Sequence, residues 1–160
     1  NFVIWSGDWN GLRGAVTWGS GVTGFIGGGG AVSASNSLVG TTANDRVGYY
    51  DVKTLSTGNY LVRSPNWING AATNAGAVTF GSGLTGVAGA VSAANSLVGS
   101  STNDNIGDTV QYLANGSYLV KSSFSWDNGA ATNAGAVTFG SGSTGVSGVV
   151  SAANSLVGTS

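Results

Sequence analysis

The chain has 160 residues, 29 of them glycine, with 11 charged side chains and a net charge of −1. An apolar fraction of 41% at almost no net charge is the reverse of a disordered composition. The five cations, Arg13, Arg46, Lys53, Arg63 and Lys121, are scattered singly, and no apolar run approaches the roughly 18 residues of a membrane helix, so nucleic acid and membrane insertion are both disfavoured as partners.

Read from the N-terminus, the chain predicts strand after strand. FVIWS (residues 2–6) is β-branched and aromatic, and Gly7 to Gly11 supplies a turn whose Asn-Gly pair tolerates positive φ. Ala15 to Trp18 is a second strand closed by Gly19-Ser20-Gly21. Gly24 to Gly30 reads as a glycine-rich loop insertion, and Ala31 to Val39 as one strand or two short ones bent at Asn36-Ser37. After the Asn44 to Gly48 turn, Tyr50 to Leu55 is a further strand, and Ser56-Thr57-Gly58 turns the chain into Asn59 to Ser64. Ala114-Asn115-Gly116-Ser117 between Val110–Leu113 and Tyr118–Lys121 is a hairpin signal. It also explains Asn115-Gly116-Ser117 better than a glycosylation acceptor does. Nowhere do apolar residues recur at helical spacing, and the fold class is all-β.

The same sentence is written three times. NGAATNAGAVTFGSG at Asn69–Gly83 returns letter for letter at Asn128–Gly142. Asn1, Asn59 and Ser117 lie 58 residues apart, and Asn36, Asn95 and Asn154 lie 59 apart. We divide the chain into repeat 1 (1–58), diverged and lacking its first strand, repeat 2 (59–116) and repeat 3 (117–160). Each complete repeat offers four strands, represented by Thr109–Leu113, Tyr118–Ser123, Gly135–Gly140 and Val149–Val157. That predicts a four-stranded antiparallel sheet of the propeller-blade kind. With two complete units and part of a third, a closed ring of roughly four to eight blades is out of reach for one chain. The array is therefore open or completed by an oligomer, and its exposed edges invite strand addition.

The string LxNGxYLVxSxxWxNGAATNAGAVTFGSGxTGVxGxVSAANSLVGSxxND resembles the tandem repeats of unknown function in very large bacterial secreted and surface proteins of the filamentous-haemagglutinin-like kind. The resemblance covers nearly the whole chain. It implies an extracellular or cell-surface role in adhesion or matrix and assigns no catalytic residue. The first copy departs from it at Leu12-Arg13, where four residues of NGAATNAG are missing, and in its glycine loop, as an end cap or drift would. The composition, rich in Ser, Thr, Asn and Gly without Cys, Met or Glu, independently suggests an extracellular or cell-surface protein. The chain opens on Asn without a leader, as a processed or excised piece would.

The chemistry of catalysis is largely missing. Without His or Cys there is no imidazole base, thiolate nucleophile or ordinary zinc site. Without Glu the carboxylates are Asp8, Asp45, Asp51, Asp104, Asp108 and Asp127. Asp45 and Asp104 are equivalent copies in NDxxG turns, where Asp usually bonds its own backbone. No cofactor is expected, although calcium is the ion that the Asn44-Asp45, Asn103-Asp104 and Asp127-Asn128-Gly129 oxygens would suit. Trp9, Trp67 and Trp126 recur at one repeat position beside Asn and Gly. They read either as glycan-stacking rings or as packing between sheets. The expected function is a non-catalytic structural or adhesive repeat, a segment of a self-assembling surface fibre or stalk, with a lectin-like β-propeller as the alternative. Its partners are copies of itself or adjacent repeats of a longer chain, and surface glycans on the second reading.

Overall fold

The computed structural model describes residues 1–159, which form three β-sheets that do not close into a barrel. In chain order the strands are β1 (Phe2–Ser6), β2 (Ala15–Ser20), β3 (Gly24–Phe25), β4 (Leu38–Val39), β5 (Asp51–Thr54), β6 (Tyr60–Ser64) and β7 (Ala77–Gly81). They continue with β8 (Gly89–Ala90), β9 (Ser96–Val98), β10 (Thr109–Tyr112), β11 (Tyr118–Ser122), β12 (Ala136–Gly140), β13 (Gly148–Val149) and β14 (Ser155–Val157). The first sheet has the order β1-β2-β4-β8 with β3 also on β2, the second β5-β6-β7-β9-β13, and the third β10-β11-β12-β14. Trp9–Leu12 forms a tight turn in which Asn10 and Gly11 have positive φ, not a regular helix.

The sheets are not purely antiparallel. A meander of antiparallel strands forms each core, but β8 runs parallel to β4 (Leu38↔Gly89, Val39↔Ala90) and β13 runs parallel to β9 (Leu97↔Gly148, Val98↔Val149). The stretch expected as a single strand over Val149–Val157 is thus divided. Its first residue extends the preceding unit's sheet, and only Ser155–Val157 returns to its own. The cause is Asn154, whose Oδ1 accepts the Ser151 N–H at 3.0 Å while its Nδ2 donates to the Val149 carbonyl at 3.0 Å, turning the chain between the two pieces. Asn95 and Asn36 make the same pair of bonds. In the first unit only Leu38–Val39 of Ala31–Val39 is a strand, and Gly30–Val32 pairs with no strand among the described residues.

Strand alternation puts two apolar faces on the middle sheet, and both are buried. Tyr60, Val62, Ala77 and Val98 pack with Val16, Trp18 and Leu38 of the first sheet. From the opposite face Leu61, Val78 and Leu97 pack with Tyr118, Val120, Trp126 and Ala136 of the third. The three sheets therefore lie face on face, with one apolar layer between each pair.

Within a sheet an aromatic ring lies over a glycine of the paired strand: Tyr60 over Gly81, Tyr118 over Gly140, and Phe2 over Gly19. A Cβ on any of these glycines would enter the ring. The buried hydroxyls of Tyr60 and Tyr118 make no hydrogen bond of good geometry; the backbones of Val87 and Val146 are their polar neighbours. Burial pushes both phenols from 10 up to about 12. Because the folded pKa is the raised one, the stability gained by keeping each phenol neutral is complete below pH 10 and is lost as pH rises from 10 through 12. At about 1.4 kcal/mol per unit this reaches roughly 2 to 3 kcal/mol per ring. Urea melts should show Tyr60→Phe/Tyr118→Phe at least as stable as the parent at pH 8, since no bond is lost, and more stable at pH 11.5.

Candidate functional site

The repeated polar residues meet at the junctions between units. Asp45 and Asp104 have no solvent exposure. Asp45 Oδ2 accepts the N–H groups of Thr41 and Thr42, each at 2.8 Å, and its Oδ1 accepts Ile68 N–H of the next unit at 3.0 Å. Asp104 repeats this with Ser100 and Ser101 at 2.8 Å and Asp127 N–H at 3.3 Å. Each carboxylate closes its own turn and clasps the loop after the next unit's Trp. The turn needs left-handed backbone at Asn44, Arg46, Asn103 and Asn105, and Asn tolerates that conformation better than most residues. Burial pushes the Asp45 carboxyl up from its ordinary value, opposed by the N–H groups of Thr42, Ile68 and Thr41 and by the charge of Arg13. Just beyond each clasp, Val47 and Ile106 form parallel bridges to Gly14 and Gly76 and are wholly buried.

A second joint runs through amides. Asn59 accepts Gly83 N–H of its own unit at 2.9 Å and donates from Nδ2 to the Gly142 carbonyl of the next at 2.9 Å. Asn1 makes the corresponding bonds to Gly21 N–H at 3.2 Å and the Gly83 carbonyl at 2.6 Å. In the third unit Ser117 holds this place, and its Oγ accepts Gly142 N–H at 3.4 Å.

Of the recurring tryptophans, Trp67 and Trp126 are brought to the layers between sheets, and Trp9 joins neither layer. Trp67 and Trp126 are 5% and 3% exposed, with Nε1 unpartnered, and Trp9 is half-buried. No face of Trp67 or Trp126 is open to a sugar ring. The Asn-Asp oxygens considered for calcium point elsewhere too: both oxygens of Asp45 and of Asp104 already face backbone N–H groups, and Asp127 Oδ1 accepts Asn133 N–H at 2.8 Å. Among the described residues no three acidic, His or Cys side chains group as a metal site would. The remaining carboxylates are dispersed. Asp8 lies 3.9 Å from Arg46, Asp51 lies 3.7 Å from Arg63, and Asp108 accepts the Tyr50 hydroxyl at 3.2 Å.

Two surfaces are left without the cover that the internal ones have. On the outer face of the third sheet Leu156 is 81% exposed, whereas its counterparts Leu38 and Leu97 are at 0%. Phe139 there is 56% exposed, against 8% for the equivalent Trp18. Beside them is a groove of about 290 Å³ along Ala134–Val137 and Leu156–Gly158, where Val47 and Ile106 lie in the other two units. On the outer face of the first sheet Phe2, Ile4 and Phe25 are exposed, and Phe25 meets Phe2 edge-on at 5.4 Å. A cavity of about 270 Å³ is lined there by Ile4, Thr17, Phe25, Gly29, Gly30 and Val32. Sequence reasoning overlooked that the Gly-Ala-Val and Gly-Val-Val segments join the preceding sheet. The signal for it was the Asn that follows each by the same interval.

A chain in which one small sheet recurs three times, joined to the next by the same contacts, is a tandem-repeat protein. It belongs to the family described as a repeat of unknown function (DUF5650), whose model matches residues 1–49, 54–108 and 112–160. Comparison with curated proteins returns no match.

Proposed function

We propose that the chain is a non-catalytic structural segment of an extracellular, adhesive surface fibre or stalk. Its units are propeller-blade-like sheets in an open or oligomer-completed array. The observation that carries this reading is the repetition of one junction, aspartate clasp, amide bridge and parallel strand, between the first and second units and again between the second and third. The repeated chemistry of the units is thereby used in holding neighbours, and the recurring aspartates Asp45 and Asp104 are engaged with backbone N–H groups. The uncovered faces at either end and a net charge of −1 both favour association over dispersal. Placement outside the cell rests on the composition and on the resemblance to repeats of large secreted proteins. Electron microscopy and light scattering of the purified protein across a range of concentrations test the structural reading. Growth into rings, stacks or fibres is expected, and discrete monomers at every concentration would overturn it.

A further inference from the structure

We infer that the two uncovered faces are the two halves of one interface, so that the third unit of one copy docks on the first unit of a second copy, head to tail. The inference rests on the structural reading above and adds the partner, the polarity and the register.

The internal junctions supply the template. At each of them an aromatic residue of one sheet sits over a positive-φ glycine of the next unit: Trp18 over Gly86, and Phe80 over Gly145. Phe139, 56% exposed, and Gly24, with φ 82° and nothing where a Cβ would lie, are the unmatched members of that series. At each junction, too, a Gly-x-Val segment adds in parallel to the preceding Ser-Leu-Val strand. Gly89 N–H and Val91 N–H donate to the carbonyls of Ser37 and Val39 at 3.0 and 3.1 Å, and Val150 N–H donates to Val98 at 3.0 Å. The open edge of β14 carries the corresponding carbonyls of Ser155 and Val157, and Gly30-Ala31-Val32 is the one Gly-x-Val segment that joins no strand among the described residues. Gly30 already has φ 103°, beside 115° at Gly89 and 109° at Gly148, so the donor is held in the docking conformation before it has a partner.

The copy-to-copy contact therefore pairs Leu156 with Gly30 and Val157 with Ala31, as Leu97 pairs with Gly148 and Val98 with Val149. Within the described residues this contact leaves open the groove beside Gly135, the place that Val47 and Ile106 fill in the other two units. It is heterologous, and repeats as a ring if its rotation closes or as a filament if it does not.

The chain has no cysteine, which makes engineered ones unambiguous. Ala31→Cys and Val157→Cys are prepared separately, mixed, and oxidised, with light scattering of the same samples. The expected result is a cross-linked dimer in the mixture at least tenfold above either variant alone and above a mixture of Val157→Cys with Val22→Cys, an exposed site away from the register. Leu156→Arg added to the Val157→Cys chain should abolish the cross-link. If Val157→Cys cross-links to itself as readily as to Ala31→Cys, the association is face to face and the inference is overturned. Scattering that grows with concentration while the mixture stays uncross-linked also overturns it, and leaves the structural reading standing. The absence of any association overturns both.

Discussion

Asp45→Ala should lower the unfolding free energy by about 3 to 5 kcal/mol, read as a shift of the urea midpoint at pH 7 with an unchanged slope. The substitution leaves three part-buried backbone donors, Thr41, Thr42 and Ile68, without the acceptor that the fully buried Asp45 side chain supplies. Each orphaned buried donor costs about 1 to 3 kcal/mol. Part of that sum is offset, because burial disfavours the charged carboxylate and alanine removes the charge. Asp104→Ala should be milder, since its bond to Asp127 N–H is longer at 3.3 Å. Asp127→Ala is the internal control. It removes an acceptor for one exposed bond, to Asn133 N–H, and should stay within about 1 kcal/mol. Equal effects at Asp45 and Asp127 would show that the clasp is not holding the units together.

The same aspartate marks where sequence reasoning stops. Its bonds to Thr41 and Thr42 are local and follow from turn chemistry at an NDxxG sequence. Its third bond, to Ile68, spans 23 residues and exists only because the next unit's loop arrives there. Strands with clean two-residue alternation, such as Tyr60–Ser64 and Tyr118–Ser122, were legible, as was the hairpin at Leu113–Ser117, whose Asn115 Oδ1 accepts Ser117 N–H at 3.0 Å. The fate of Val149–Val157 was not, because its apolar residues suit either sheet and the choice is made by Asn154 and by the free edge of β9. For the tryptophans, composition allowed a ring against sugar or a ring against a neighbouring sheet. Only the face-on-face packing places Trp67 and Trp126 inside. Repetition itself was the strongest signal, since the family match divides the chain into three as well.

Leu97→Ala should cost about 2 to 5 kcal/mol, while Leu156→Ala at low protein concentration should change stability by no more than about 0.5 kcal/mol. The two leucines occupy the same place in identical octapeptides, SAANSLVG at 92–99 and at 151–158, so neither propensity nor strand chemistry distinguishes them. What differs is the neighbour. Leu97 lies in the layer formed with Tyr118, Val120 and Trp126, where truncation leaves a cavity that a stiff sheet cannot collapse to fill. Leu156 stands on a face with no sheet against it, and its methyl groups are already in water. Chemical denaturation of both variants in parallel measures the contribution of one unit to the next with local sequence held constant. Repeating the pair at rising concentration extends the comparison. Where copies dock through this face, the penalty at Leu156 should grow toward that at Leu97, because the third unit then acquires the cover that the first two already have.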